Sequence, residues 1–247
     1  MSKGRDFLNF RIFALIGLLA LIPPLLPAIN ESPIHAEVII SCQIFSNKSL
    51  RKAVASLTAG EMVEILEDFS EKVYKVAMTD GTKGWIDARN IKIPPDIPTD
   101  KSVLPPAILE EFVNAKDYAS KTNYLILVDI GRQKTHVFNN SANYWQLQKS
   151  FDCSTGQNTS PTTRGIFTFT DRGEWFYSHR LQSGAKYWIR FNGNYLFHSI
   201  PMDKNKKPLA GEDVVGTKLS NGCVRLTLPN IKWIYDNIPD GTTVVIL

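Results

Sequence analysis

The sequence predicts a mainly β chain, a small barrel followed by a larger β-sandwich-like domain with one late helix. Three observations carry that expectation. Short runs rich in Val, Ile, Thr, Tyr and Phe recur between Gly, Asn, Asp and Ser turns, the pattern of many short strands. The interval "PPDIPTDKSVLPP", 94 to 106, holds five prolines and no hydrophobic periodicity, and divides those runs into two groups. With 247 residues, 43% hydrophobic and 21% charged, the chain has enough apolar side chain for one or two buried cores.

The first segment, 1–36, reads as a signal peptide or an N-terminal anchor. Lys3, Arg5 and Arg11 flank the apolar run "IFALIGLLALIPPLLPAI", and "IHA" ends at Ala36 as a cleavage point. Pro23 and Pro24 shorten any continuous helix within the run, which is nearly long enough to span a bilayer. An exported protein follows, in the cell envelope or outside the cell, with membrane contact only if the segment stays uncleaved. The net charge of +4 is not gathered into a Lys/Arg stripe, which argues against nucleic acid as a partner.

Residues 37–93 form the first folded unit. "EVIISCQIF", "AVASLTAGEMVEILED" and "KVYKVAMTDGTKGWIDARNIKI" read as strands around turns at Ala59-Gly60 and Asp80-Gly81, with Tyr74 and Trp85 expected to fill much of the core. Residues 94–121 hold the semi-rigid linker and a short helix whose apolar repeat is Ile108, Phe112, Ala115 and Ala119. Residues 122–247 are strand-rich: "YLILVDI", "KTHVF", "WQLQKSFDC", "GIFTFTD", "YWIRFNG", "YLFHSI" and "TTVVIL". The late helix lies between the last two of these. Thr227 stands at its cap and Pro229 in its first turn, its stripe is Ile231, Ile234 and Tyr235, and it ends before Pro239.

Cys42, Cys153 and Cys223 leave at least one thiol without an intramolecular partner, and a Cys42–Cys153 bridge would need the two units to meet. No CxxC pair occurs and His35, His136, His179 and His198 lack ligand spacing, so no metal site is expected. Cys223, in "KLSNGCVRL", stays open between a packed small residue and a nucleophile. For the second role it needs a proton acceptor, and His198 in "YLFHSIP" is the histidine placed in the late strand region to serve. Ser199 can orient the imidazole through its hydroxyl or its carbonyl. The "SNG" turn can aim the amides of Asn221, Gly222 and Cys223 at an oxyanion.

Two resemblances sharpen this reading. "AGEMVEILED…VYKVAMTDGTKGWIDARNI" resembles a bacterial SH3 domain, which implies an SH3-like barrel that binds the cell wall. "FHSIP" followed by "LSNGCVRL" resembles the signature of the YkuD-type L,D-transpeptidases, and "CSTGQNTSPTTRGIFTF" and "YWIRFNGNYLFHSIP" resemble two further segments of that family. Together they cover nearly all of 122–247. The resemblance implies an L,D-transpeptidase catalytic domain acting on peptidoglycan stem peptides in cell-wall biogenesis and cell shape, with no cofactor and no metal. Cys223 would attack the third, diamino-acid residue of a tetrapeptide stem, His198 would move the proton, and D-alanine would leave a thioester. A neighbouring stem's amine would resolve it into a 3→3 crosslink, and carbapenems would acylate the same thiol. Arg225, Tyr187, Trp188 and Tyr195 are the implied substrate contacts. One position departs: the family's usual histidine before Gly-Cys is Asn221, which cannot shuttle a proton. The alternatives are an L,D-carboxypeptidase, in which water resolves the thioester, and a non-enzymatic wall-binding protein. A papain-like wall endopeptidase is disfavoured because there the cysteine precedes its histidine.

Overall fold

The computed structural model describes Ile29 and residues 33–95 and 97–247. The chain is mainly β, as expected, with two α-helices among the described residues. The apolar run near the N-terminus lies outside the described residues, apart from Ile29. No helix among the described residues is long and apolar enough to cross a membrane.

Seven strands form the N-terminal sheet: β1 (His35–Val38), β2 (Cys42–Phe45), β3 (Ala53–Leu57), β4 (Met62–Phe69), β5 (Val73–Ala77), β6 (Lys83–Asp87) and β7 (Ile91–Lys92). Their order is β3-β2-β6-β5-β4-β1-β7, which leaves β3 and β7 as edges, so the expected barrel is not closed by hydrogen bonds among the described residues. β1 begins before the expected boundary at Glu37. His35 and Ala36 already pair with Glu64 and Val63, and Ala36 is fully buried, so a cut after Ala36 would divide a core strand. The core is Val38, Ile44, Val63, Ile65, Tyr74, Val76 and Ile86 with their neighbours. Trp85 is not among them. Strand alternation turns Gly84 and Ile86 inward, and Ile44 packs so closely on Gly84 that a Cβ there would meet its Cδ1 at 2.9 Å.

The linker is fastened down rather than free. Arg132 pairs with Asp100 (2.8 Å) and Asp129 (3.0 Å), Lys101 Nζ donates to the carbonyl of Gly216 (3.1 Å), and Leu104 is buried. Helix α1 (Pro106–Ala115) follows. Its buried face is Leu109 and Val113, with Ile108 and Phe112 only flanking, and it ends before Ala119. Both pairs have the spacing of a helical stripe and sit about 100° apart, so periodicity alone did not choose between them.

The remaining strands make two layers. β10 (Tyr144–Asp152), β9 (Lys134–Ser141), β8 (Tyr124–Asp129), β16 (Thr243–Ile246) and β11 (Gly165–Thr168) form one sheet in that order. β12 (Arg172–Ser178), β13 (Ser183–Asn192), β14 (Tyr195–Ser199) and β15 (Val224–Leu226) form the other. Ile126, Val128 and Val244 of the first sheet meet Ile189, Phe197, Val224 and Leu226 of the second, and α2 (Leu228–Asn237) adds Ile231 and Ile234. On the far side, Leu125, Leu127 and Val245 face α1. β8 is therefore covered on both faces, which is why it reads as an unbroken apolar run rather than an alternation. Thr227 makes no side-chain cap for α2. Glu212 takes that role, accepting from the N–H of Leu228 at 2.7 Å, so the long segment between β14 and β15 supports the helix that follows it.

All three cysteines are free. Cys153 is fully buried, and burial pushes its thiol up to about 12, so it is an inert packing residue. Cys153→Ala is expected to lower the melting temperature by roughly 2–4 °C, the effect of about 1 kcal/mol of lost packing. It should leave alkylation of Cys223 within about twofold of wild type; a larger loss in a folded variant would give Cys153 a part in the site.

Candidate active site

β14 and β15 run parallel, with Phe197 opposite Val224, His198 opposite Arg225 and Ser199 opposite Leu226. Opposed residues in a parallel pair share a face, so Phe197, Val224 and Leu226 go to the core while His198 and Arg225 stand on the other side. Cys223 precedes Val224 and so returns to the side of His198. Cys223, His198, Arg225 and Asn221 line one cleft of about 400 Å³.

The turn carrying the cysteine is held from below by the "CSTG" segment. Ser154 and Arg225 exchange two backbone hydrogen bonds of 2.8 Å, and the carbonyl of Thr155 accepts from the N–H groups of Leu219 (3.0 Å) and Ser220 (2.9 Å). The side chain of Ser220 donates to the carbonyl of Cys223 at 2.6 Å, which closes the turn on itself. Gly222 has φ +90°, and a Cβ there would lie 2.1 Å from the ring of Tyr195. Only glycine fits that position. Gln133, fully buried, bonds Thr155 from both ends of its amide: it accepts from the backbone N–H at 2.9 Å and donates to the hydroxyl at 2.7 Å. Nothing in the sequence marks Gln133, because a brace of this kind has no motif of its own.

His198 is 5% exposed, and its Nδ1 donates to the carbonyl of Ser199 at 2.6 Å. That bond fixes the ring and leaves Nε2 as the acceptor nitrogen of the neutral form. Ser199 thus orients the imidazole through its carbonyl, because its hydroxyl is spent on the carbonyl of Ile200 (2.9 Å) and the N–H of Lys186 (3.0 Å). The ring of Phe176 meets the imidazole edge to face at 5.7 Å. Burial, aided by the positive charge of Arg225, pushes His198 down to about 3, so it is neutral at working pH. The Cys223 thiol is raised by burial, against the lowering influence of the Leu196 N–H and of Arg225 and Arg190. Both shifts favour the neutral forms, thiol and imidazole, over thiolate and imidazolium. Alkylation of Cys223 by iodoacetamide is expected to climb steadily from pH 6 to pH 9, slower at pH 7 than for an ordinary cysteine. A rate plateau reaching into acid would reveal a preformed ion pair instead.

Arg225 donates to the carbonyl of Leu219 at 3.3 Å, and its Nε is buried without a hydrogen-bond partner. Among the described residues, no three His, Cys, Asp or Glu side chains come together as a metal-binding group.

The model of the L,D-transpeptidase catalytic domain, YkuD, matches residues 123–246. The chain belongs to the L,D-transpeptidase family. A Bacillus subtilis (strain 168) protein named "Putative L,D-transpeptidase YciB" is 38% identical over 122 residues, 48% of this chain and 63% of that protein. The match thus spans less than two thirds of that relative. Among solved structures, a fused Zn-dependent amidase/peptidase/peptidoglycan-binding domain-containing protein from Clostridium acetobutylicum ATCC 824 aligns with a TM-score of 0.49 and 30% identity, over 66% of this chain and 76% of that one. An L,D-transpeptidase from Mycobacterium smegmatis aligns with a TM-score of 0.41 and 16% identity, over 72% and 68%.

Of the aromatic residues expected along the transpeptidase groove, Tyr195 lines the cleft, 4% exposed, with its ring stacked on Phe191. Tyr187 and Trp188 do not line it. Tyr187, at φ +55°, packs on Tyr235 of α2 with ring centroids 5.3 Å apart, and Trp188 lies over Gly173 beside Arg190. Tyr187 packs against the same core as Ile189 and Phe191, so alternation along "YWIRF" turns it away from the cleft. One wall of the cleft comes from outside the transpeptidase match: Glu67, Asp68, Phe69, Ser70 and Glu71, the end of β4 and the turn into β5. Sequence reading assigned this hairpin no part in the site.

Proposed function

We propose that the protein is a peptidoglycan L,D-transpeptidase that forms 3→3 crosslinks through a thioester on Cys223 and releases D-alanine. The observation that carries the reading is a neutral, buried histidine on one strand and a cysteine at the entry to its parallel neighbour, both lining one cleft in a chain of this family. Cys223 Sγ attacks the carbonyl of the diamino-acid residue as Nε2 of His198 takes the thiol proton. With the thiol raised and the imidazole lowered, the proton moves with the attack rather than ahead of it. The amides of Asn221, Gly222 and Cys223 hold the oxyanion, each donor contributing about 3 kcal/mol in acyl-transfer sites of this type. The C–N bond to D-alanine breaks, His198 protonates the departing amine, and the thioester remains. The acceptor amine then attacks, gives its proton to His198, and Cys223 leaves as a thiol.

Asn221 is exposed at the mouth of the cleft and contributes its backbone amide, so proton transfer rests on His198 alone. Arg225 sits opposite His198 and is suited to a substrate carboxylate. The N-terminal sheet carries the SH3-like motif and in this reading meets the cell wall, with the protein exported to the envelope. Incubating the full protein with a defined tetrapeptide stem and weighing the products tests the reading. Crosslinked dimer with free D-alanine supports it, tripeptide alone makes the protein an L,D-carboxypeptidase, and no product leaves a wall-binding protein.

A further inference from the structure

The N-terminal sheet does more than stand beside the transpeptidase domain. Its β4–β5 hairpin enters the cleft, and one residue of it, Asp68, ties together the two supports of the nucleophile turn. The backbone N–H of Asp68 donates to the Tyr195 hydroxyl at 2.6 Å, and that hydroxyl returns a longer bond, 3.4 Å, to the carbonyl of Asp68. The ring of the same tyrosine is the surface on which Gly222 lies, one residue before Cys223. On its other side the Asp68 carboxylate accepts from the hydroxyl of Ser160 at 2.6 Å. Ser160 is fully buried in the loop that starts at Gly156 and Gln157, both of which pair with Ser220 at the base of the nucleophile turn. Tyr74 of β5 adds a hydrogen bond from its hydroxyl to the carbonyl of Thr159 in that loop, and Glu71 accepts from Gln157 and Thr159 at 3.3 Å each.

These bonds join residues separated by 85 to 127 positions, and tie the hairpin to Tyr195 and to the 156–160 loop, the two elements that touch the nucleophile turn. A spacer that only carried the catalytic domain would not need the half-buried Asp68 carboxylate and the Tyr74 hydroxyl committed there. We propose that the β4–β5 hairpin is part of the catalytic apparatus, with Asp68 and Tyr195 as positioning residues that hold the Gly222–Cys223 turn in line with His198. The proposal rests on Cys223 being the nucleophile, as in the preceding reading. Because small misplacements of reacting groups cost large factors in rate, a loosened turn should show itself in chemistry before stability.

The test uses the full chain and four variants: Tyr195→Phe, which keeps the ring under Gly222 and removes only the hydroxyl, Asp68→Ala, Asp68→Asn, and Lys72→Ala as a hairpin control away from the cleft. Each is assayed well below its melting temperature for alkylation of Cys223 by iodoacetamide, acylation by a carbapenem, and kcat and KM for D-alanine release. Tyr195→Phe and Asp68→Ala are expected to lower acylation and kcat about tenfold with KM changed much less. Their double variant should lose little more than either alone, because the bonds they remove, Tyr195 hydroxyl to the Asp68 backbone and Asp68 carboxylate to Ser160, lie in series on one path. Asp68→Asn retains an oxygen for Ser160 and should recover most of the rate, while Lys72→Ala should match wild type. Acylation and alkylation within twofold of wild type in folded Tyr195→Phe and Asp68→Ala would overturn the proposal. If Asp68→Ala fails to fold, Tyr195→Phe alone decides. Absence of D-alanine release in wild type would sink the functional reading instead, and the alkylation rates would still decide whether the hairpin positions the thiol.

Discussion

Replacing Cys223 with alanine is expected to abolish D-alanine release from a tetrapeptide stem, and with it the mass adduct that a carbapenem leaves on the protein. The loss should be on the order of 10⁵-fold or more, since a nucleophile and its base act as a unit and little covalent catalysis survives without the first. Folding should be untouched, because Cys223 is only half-buried and its turn is closed by backbone groups and Ser220. His198→Ala should fall nearly as far if, as proposed, its neutral imidazole accepts the thiol proton. Intact-mass analysis after carbapenem treatment, with the modified peptide mapped, is the direct measurement. An adduct that persists in Cys223→Ala would move the nucleophile elsewhere and undo the assignment.

Gly222→Ala should be nearly as damaging, by a different route. The new methyl carbon would sit 2.1 Å from one ring atom of Tyr195 and 2.7 Å from the next, on backbone at φ +90°. The tyrosine cannot yield, being 4% exposed, stacked on Phe191 and bonded through its hydroxyl to Asp68. The turn must therefore move, and Cys223 moves with it. Left-handed backbone at a non-glycine residue costs about 1–2 kcal/mol before any clash is counted. A displacement near 1 Å at the reacting atom is worth about 100-fold in rate. Acylation of Gly222→Ala is thus expected to fall at least about 100-fold, and its melting temperature to drop by several degrees. Wild-type acylation in this variant would show that the turn has slack that the packing against Tyr195 does not suggest.

Much of this was legible in the residues themselves. Short β-branched runs between turn residues marked the strands, Pro229 and the Ile231–Ile234 stripe marked the late helix, and the order of His198 before Cys223 separated this arrangement from papain-like enzymes. What escaped reading was set by distance and by broken periods. The wall of the cleft lies 127 positions from Tyr195 in the chain, and a partnership of that kind leaves no spacing to detect. Tyr187 packs against the core beside Ile189 and Phe191 rather than lining the groove, and Trp85 looked like core because of its size while alternation kept it outside. Glu212 caps α2 from 16 positions upstream of the N–H it accepts from, outside the range of any capping motif.

One further consequence lies in the order of the first sheet of the transpeptidase domain. β16, residues 243–246, is hydrogen-bonded between β8 and β11, so it is the seam that joins Tyr124–Asp129 to Gly165–Thr168. Until residue 246 has been synthesised and delivered, β8 and β11 have no ladder between them and each keeps an open, apolar edge. Pairing that spans about 120 residues of sequence is slow to form and leaves such edges exposed meanwhile. A nascent chain that stops short of β16 therefore already carries Cys223 beside a neighbouring sheet that is still unfinished and adhesive.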